Sequence, residues 1–305
     1  MDAERIGFLF PGQGAQTPGM GRSLCERHAV ARALFDQANE VLGYDLKSMC
    51  FEGPEEQLNT TEFSQPALFV TSMAAVAAMR EEHPEWLERA QAAAGLSLGE
   101  YTAVCFAGGL SFEEALRLVQ RRGQAMQAAA DQVSSGMSSV LGLSVEQVEQ
   151  LCQRVREEGE VLQPANLLCP GNIAVSGHVS ALQRLVPAAT EMGAMRVIPL
   201  AVAGAFHTSL MQPAVAALEE ALQTAAPVDT QLPVYSNVDA APHREAEIIQ
   251  DLLTRQVVNP VRWEDSLRQM VRDGIDGFLE VGTGRVLRGT LKRIDRKLAT
   301  DGFGD

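Results

Sequence analysis

Cysteine, basic charge and long apolar runs are all scarce in this 305-residue chain, and each shortage excludes a class of protein. The five cysteines, Cys25, Cys50, Cys105, Cys152 and Cys169, are odd in number and far apart, with no Cys-x-x-Cys pair. Neither a disulfide framework nor a zinc knuckle is indicated, no metal site is expected, and a reducing compartment is the simplest setting. Lys and Arg total 25 against 39 Asp and Glu, a net charge of -14. That balance argues against nucleic acid or an anionic membrane as the main partner, since both need positive potential over a broad surface. The N-terminus lacks a basic start followed by a long apolar stretch. The quietest run, residues 67–79, is short and broken by Thr71 and Ser72, so the expectation is a soluble cytoplasmic protein. Repeats and low-complexity linkers are also missing. What is present is ordinary globular composition, 46% hydrophobic and 21% charged. At about 150 residues per domain, the length allows two units or one large unit with an insertion.

Ile6 to Phe10 reads IGFLF, a continuous apolar run of strand length that stops at Pro11-Gly12, as a buried parallel strand feeding a loop does. The loop after it carries four glycines. Helices are predicted over 23–42 and 65–80, the second with Ser64 as its cap and Pro66 in its first turn. Residues 90–94 are ambiguous: alanine favours helix, yet the Gly95-Leu96-Ser97-Leu98-Gly99 that follows suits a strand-to-helix turn. From 130 to 203 the order is strand 137–143, helix 144–158, strand 173–176, helix 180–191 and strand 196–200. That order predicts a small separate α+β layer inserted in a larger unit. A helix at 209–224, a short strand at 233–236, helices at 246–256 and 263–273 and a strand at 277–281 follow.

Gly-x-Ser-x-Gly at Gly95, Ser97 and Gly99 is the sharpest local signal, because a nucleophile on a strained turn needs small neighbours to expose its hydroxyl. A helix starting there also offers backbone N–H groups to a developing oxyanion. A glycine-flanked turn with an incidental serine would read the same. Serine needs a base, so one of five histidines should converge on it. His28, His83 and His243 read as surface and His178 as a strand exit. His207 differs, in a stretch of small apolar residues just before a helix, although packing alone could put it there. Gly12-Gln13-Gly14 is not a dinucleotide fingerprint, since the third glycine would fall at Thr17. Gln13 is better placed to approach a ligand, or to make a plain turn. Arg122 ends an apolar helical pattern with Leu116 and Val119; by residue type alone it reads as a solvated face shared with Arg121.

Six ordered blocks, FPGQGAQTPGMG, GLSLGEYTA, QRRGQAMQ, CPGNIAVSG, AGAFHTSLM and RQVVNPVRWEDS with EVGTGRVL, together resemble the malonyl-CoA:acyl carrier protein transacylases, acyltransferases of fatty acid and polyketide synthesis. The resemblance runs over nearly the whole chain. It implies an α/β hydrolase-like domain over 1–129 and 204–305 with a ferredoxin-like insert over 130–203. Ser97 would be the nucleophile and His207 its base, oriented by the backbone carbonyl of Gln256. Gln13 and the Leu98 amide would form the oxyanion hole, Arg122 would hold the malonyl carboxylate, and Phe206 would disfavour branched units. The implied partners are malonyl-CoA and an acyl carrier protein that brings its own phosphopantetheine, with no cofactor on this chain. Three positions depart from the family: Leu96 stands where histidine is usual, Leu168 where asparagine is, and Thr283 where proline is. Two other readings share the Ser-His pair or its turn: an acyl hydrolase or editing enzyme, and a weakly active carrier-binding subunit suggested by Leu96. The basic cluster Arg285, Arg288, Lys292, Arg293, Arg296 and Lys297 faces either solvent or the carrier.

Overall fold

A computed structural model describes residues 3–304. Among the described residues ten strands form two sheets. The larger contains β1 (Ile6–Phe10), β2 (Ala90–Gly95), β7 (Val234–Tyr235), β8 (Pro242–His243), β9 (Gly277–Gly282) and β10 (Ala299–Gly304), in the order β10-β9-β1-β2-β7-β8. All its pairings are parallel except β7 with β8. The smaller contains β3 (Ser135–Leu141), β4 (Leu162–Cys169), β5 (Asn172–His178) and β6 (Arg196–Pro199), in the antiparallel order β4-β5-β3-β6. The result is a mixed α/β fold. Among the described residues no helix is long and apolar enough to cross a membrane.

The parallel sheet is covered on both faces, which is why β1 can be apolar at every position. Phe8 and Phe10 join the core formed with helix Thr61–Glu82, while Leu9 turns to the opposite core around Trp263, Leu287 and Leu291. The alanine run at 90–94 is strand. Between β1 and β7 its small side chains let covering helices approach both faces, and that tertiary fit overrides alanine's helical preference. Helices Val145–Val155 and Val179–Glu191 cover the small sheet with their own core, and Ser144 caps the first through a reciprocal capping box with Gln147.

Several sequence expectations need correction. The helix expected over 23–42 is two, Arg22–Arg27 and Ala29–Leu42, because His28 takes an extended backbone. Its ring is not on the surface: it lies buried within 3.0 Å of Glu81 and 2.7 Å of Glu82. The helix expected to start after Ser64 begins at Thr61 and carries Pro66 within it. Strand β4 was not expected, since Pro164 and two register shifts disguise its alternation. β8 and β10 were missed as well, being a two-residue pair and a half-exposed edge of Gly, Asp and Thr. The C-terminal helix, Val286–Ile294, stops before Arg296, and Arg288 leaves the basic face to bond Glu280 through Nε at 3.3 Å. Lys292, Arg293, Arg296 and Lys297 remain exposed.

Candidate active site

β2 ends at Gly95, and the chain reverses through Ser97 into helix Leu98–Phe106. Ser97 takes φ 52 and ψ -102, a conformation costing about 1–3 kcal/mol that surrounding contacts must hold. Those contacts are visible. The Leu96 N–H donates to the Phe10 carbonyl at 3.1 Å, tying the turn to the end of β1. A Cβ at Gly99 would lie 2.1 Å from that same carbonyl, so only glycine lets helix and strand meet so closely. Asn237, just beyond β7, grips the turn from both sides: Oδ1 accepts the Ser97 N–H at 2.7 Å and Nδ2 donates to the Gly95 carbonyl at 2.8 Å.

His207 is brought to Ser97 from 110 residues away. The Ser97 hydroxyl donates to Nε2 at 2.8 Å, and Nδ1–H donates to the Gln256 carbonyl at 2.9 Å. A carbonyl can only accept, so this bond puts the ring proton on Nδ1 and leaves the Nε2 lone pair toward the serine. Burial, reinforced by the Arg122 charge, holds the imidazole down to about 4, so it is neutral at physiological pH and free to take a proton.

Arg122 is 1% exposed, which overturns the solvated-face reading; Arg121 alone keeps that role. In helix Phe112–Ala130 the buried positions Ala115, Leu118, Val119, Arg122, Met126 and Ala129 follow helical spacing, so position 122 falls in the core stripe. Nη1 donates to Gln65 Oε1 at 2.7 Å, and Nη2 to Ser97 Oγ at 3.0 Å and to Gln256 Oε1 at 2.9 Å. The guanidinium carbon lies 5.0 Å from the centre of the Tyr101 ring. Desolvation pulls its pKa down from the ordinary arginine value, with Tyr101 and Glu100 opposing.

Gln256 does more than its carbonyl suggested. Nε2 also donates to the Ser97 carbonyl at 3.0 Å and to Glu100 Oε2 at 2.5 Å, so this one residue touches the serine, the histidine and the arginine. Sequence reading missed Gln65, Glu100, Asn237 and this side-chain role. A usable signal existed for Asn237, because residues just past the carboxyl ends of parallel strands are where such sites assemble. Phe206 is buried beside His207 in the large core. Gln13 sits on the loop whose Gly12 packs against the Leu96 carbonyl, but its amide reaches Thr61 Oγ1 at 3.5 Å and no hydrogen bond joins it to Ser97 among the described residues. The Leu98 N–H is the first of its helix. A hollow of about 650 Å³ between residues 15–23 and 283–284 touches neither Ser97 nor His207 and has no part in this arrangement. No cluster of three or more His, Cys, Asp or Glu able to hold a metal occurs among the described residues.

A half-buried serine shared between a neutral imidazole and a guanidinium can be acylated by a substrate that carries a carboxylate. Comparison with known proteins bears on the same chemistry. Residues 7–296 match the model of the acyl transferase domain. The malonyl CoA-acyl carrier protein transacylase of Bacillus subtilis is 41% identical over 303 residues, covering 99% of this chain and 94% of that protein. An acyl-carrier-protein-S-malonyltransferase from Bartonella henselae superposes with a TM-score of 0.94 at 37% identity, covering 99% of this chain and 96% of that one. A malonyl-transacylase solved in complex with its type II PKS acyl-carrier protein has the same TM-score, identity and coverage. The chain belongs to the acyl transferase family, among the malonyl-CoA-acyl carrier protein transacylases.

Proposed function

We propose that this chain moves a malonyl group from malonyl-CoA to the phosphopantetheine thiol of an acyl carrier protein, by two half-reactions through an ester on Ser97. The observation that carries the proposal is the position of Ser97 Oγ, which donates to His207 Nε2 at 2.8 Å and accepts from Arg122 Nη2 at 3.0 Å. In the first half-reaction Oγ attacks the thioester carbonyl as Nε2 takes its proton, and the imidazolium returns that proton to the departing CoA sulfur. The oxyanion is assigned to the Leu98 amide, at a helix N-terminus, and to Gln13. Arg122 receives the malonyl carboxylate, using donors now given to Ser97 and Gln256, and its nearness to Oγ suits a short diacid. In the second half-reaction the carrier thiol gives its proton to His207 and attacks the ester; the acyl–Oγ bond breaks and the imidazolium returns the proton to Ser97 Oγ. Phe206, packed beside the base, is assigned to keeping branched acyl groups out.

The strand and helix order from 135 to 199, β-α-β-β-α-β, supports reading residues 130–203 as a ferredoxin-like insert. The nucleophile turn after a parallel strand supports reading 1–129 with 204–305 as α/β hydrolase-like. The deciding experiment is intact-protein mass spectrometry after brief mixing with malonyl-CoA. A lasting adduct that discharges onto added holo carrier protein, and that Ser97→Ala lacks, is the expected result. Steady release of malonate to water would mark a hydrolase, and no adduct would mark a carrier-binding subunit.

A further inference from the structure

The proposed chemistry leaves one buried charge unused. Glu100 lies one turn into the helix that starts after Ser97 and is 2% exposed. Its Oε2 accepts from Gln256 Nε2 at 2.5 Å and from the Asn237 N–H at 3.2 Å. The same Gln256 amide accepts from Arg122 through Oε1 at 2.9 Å. One guanidinium and one carboxylate are therefore joined through a single amide in a site shielded from water. The other ionisable groups around Glu100 are few. Helix Phe112–Ala130 brings Arg122, and Tyr101 is its neighbour on its own helix with its hydroxyl given to the Leu253 carbonyl. The 200–208 segment brings His207 and the helix Ala246–Gln256 brings only the Gln256 amide. Strands β1 and β2 carry no ionisable side chain, and Tyr235 of β7 is bonded to Asp273. Helix Thr61–Glu82 presents Gln65 to Arg122, its own charges lying near its two ends.

Above about pH 7, where Glu100 is ionised, this site at rest holds one positive and one negative charge. A malonyl carboxylate on Arg122 would make two carboxylates to one guanidinium, and like charges sharing a buried site cannot both stay ionised cheaply. We propose that Glu100 is the resting counter-charge of Arg122 and takes up a proton when the malonyl carboxylate arrives, so that loading a diacid consumes a proton that loading a neutral acyl group does not. The inference rests on the reading that Arg122 receives that carboxylate. Glu100 is the group that yields because it meets the guanidinium only through Gln256, whereas the substrate would meet it directly with charge-assisted bonds. Burial already raises its carboxyl to about 7, although the bonds from Gln256, Asn237 and Ser236 and the Arg122 charge all favour the ionised form. His207, held far lower, stays neutral. The consequence, above about pH 7, is a site that remains electrically neutral both empty and loaded.

Acyl transfer itself is proton-neutral: the serine O–H and the thioester become an ester and the CoA thiol, and any ionisation of that thiol is common to all acyl groups. A pH indicator in weak buffer, read by stopped flow and normalised to adduct counted by mass spectrometry, isolates the extra proton by comparing malonyl-CoA with acetyl-CoA on the natural chain. The expected difference approaches one proton per malonyl-enzyme near pH ~8 and shrinks toward pH ~6, where Glu100 is already protonated. Glu100→Gln, which keeps an acceptor oxygen, should erase it. Equal proton uptake for the two acyl groups at matched adduct, or an unchanged difference in Glu100→Gln, overturns the proposal. Absence of any malonyl adduct would instead overturn the Ser97 reading, so the two failures are told apart.

Discussion

At Arg122 the helical period and the side-chain charge pull in opposite directions, and the period wins because partners are supplied. Gln65, Ser97 and Gln256 accept from the guanidinium and Tyr101 lies against it, so the cation is buried without being stranded. Arg122→Ala should weaken acylation by malonyl-CoA by about 2 to 5 kcal/mol in kcat/KM, while acetyl-CoA loses less. The same variant removes a charge that depresses His207, so the acid limb of the kcat/KM profile, expected near 4 in the natural chain, should move upward. Equal losses for both substrates with an unmoved limb would assign Arg122 to structure alone. Two departures from the family also meet at this scale. Leu96 belongs to the apolar cluster of Leu287 and Leu291, and Leu168 packs against that cluster. Both positions are thus apolar and share one cluster. Leu96→His alone should therefore destabilise by about 1 to 3 kcal/mol, with the imidazole lacking a partner, and Leu168→Asn in the same chain should recover part of it. Additive denaturation midpoints across the four chains of that cycle would show the two positions to be independent.

At the scale of elements, the nucleophile turn is positioned by two stretches distant from it in sequence: the residues after β7 and, running on from the end of β1, the loop from Pro11 to Gly14. Gly12 marks how tightly the last of these is docked, because a Cβ there would lie 2.2 Å from the Leu96 carbonyl, a backbone atom that cannot swing aside. Gly12→Ala should lift the loop, displace Gln13 from the turn, and cut the acylation rate by about tenfold or more, with stability down by about 1 to 3 kcal/mol. Rapid-quench acylation with a parallel denaturation curve would check both; an unaffected rate would detach Gln13 from the oxyanion role. A second joint links the small sheet to the base. Leu167 N–H donates to the Val261 carbonyl at 2.9 Å, Val261 N–H to the Ala165 carbonyl at 2.7 Å, and Gln163 Nε2 to the His207 carbonyl at 3.4 Å. β4 thus braces the backbone on both sides of the Gln256–His207 contact.

For the whole molecule, two of the displaced ionisations, both at the site, oppose each other in pH. Glu100 has its carboxyl raised, so its contribution to stability is present below the ordinary carboxylate range and is lost as pH rises through about 7. His207 has its imidazole lowered, so its contribution is present above the ordinary histidine range and is lost as pH falls through about 4. Between those limits the two trends partly cancel. Glu100→Gln removes one of them, so its stability relative to the natural chain should climb by on the order of 3 kcal/mol between pH ~4.5 and pH ~7.5. Urea midpoints at several pH values would show it; a constant gap between the two chains would mean that Glu100 does not titrate in that window.

Local pattern was enough for β1, β9, the capped helix after Ser144 and the glycine-flanked turn at Ser97, because each is set by period, cap or backbone sterics within a few residues. It also singled out His207 among five histidines, by its apolar surroundings. Pattern alone could not decide the alanine strand, which forms because β1 and β7 lie on either side of it. Nor could it find β4, whose alternation is broken by Pro164 and completed by pairing with β5, or bury His28, whose carboxylate partners lie more than fifty residues further along the chain. The polar network of Gln65, Glu100, Asn237 and Gln256 was equally hidden. Buried polar side chains are tolerated only where partners from other segments satisfy them, and those partners exist only once the chain has folded.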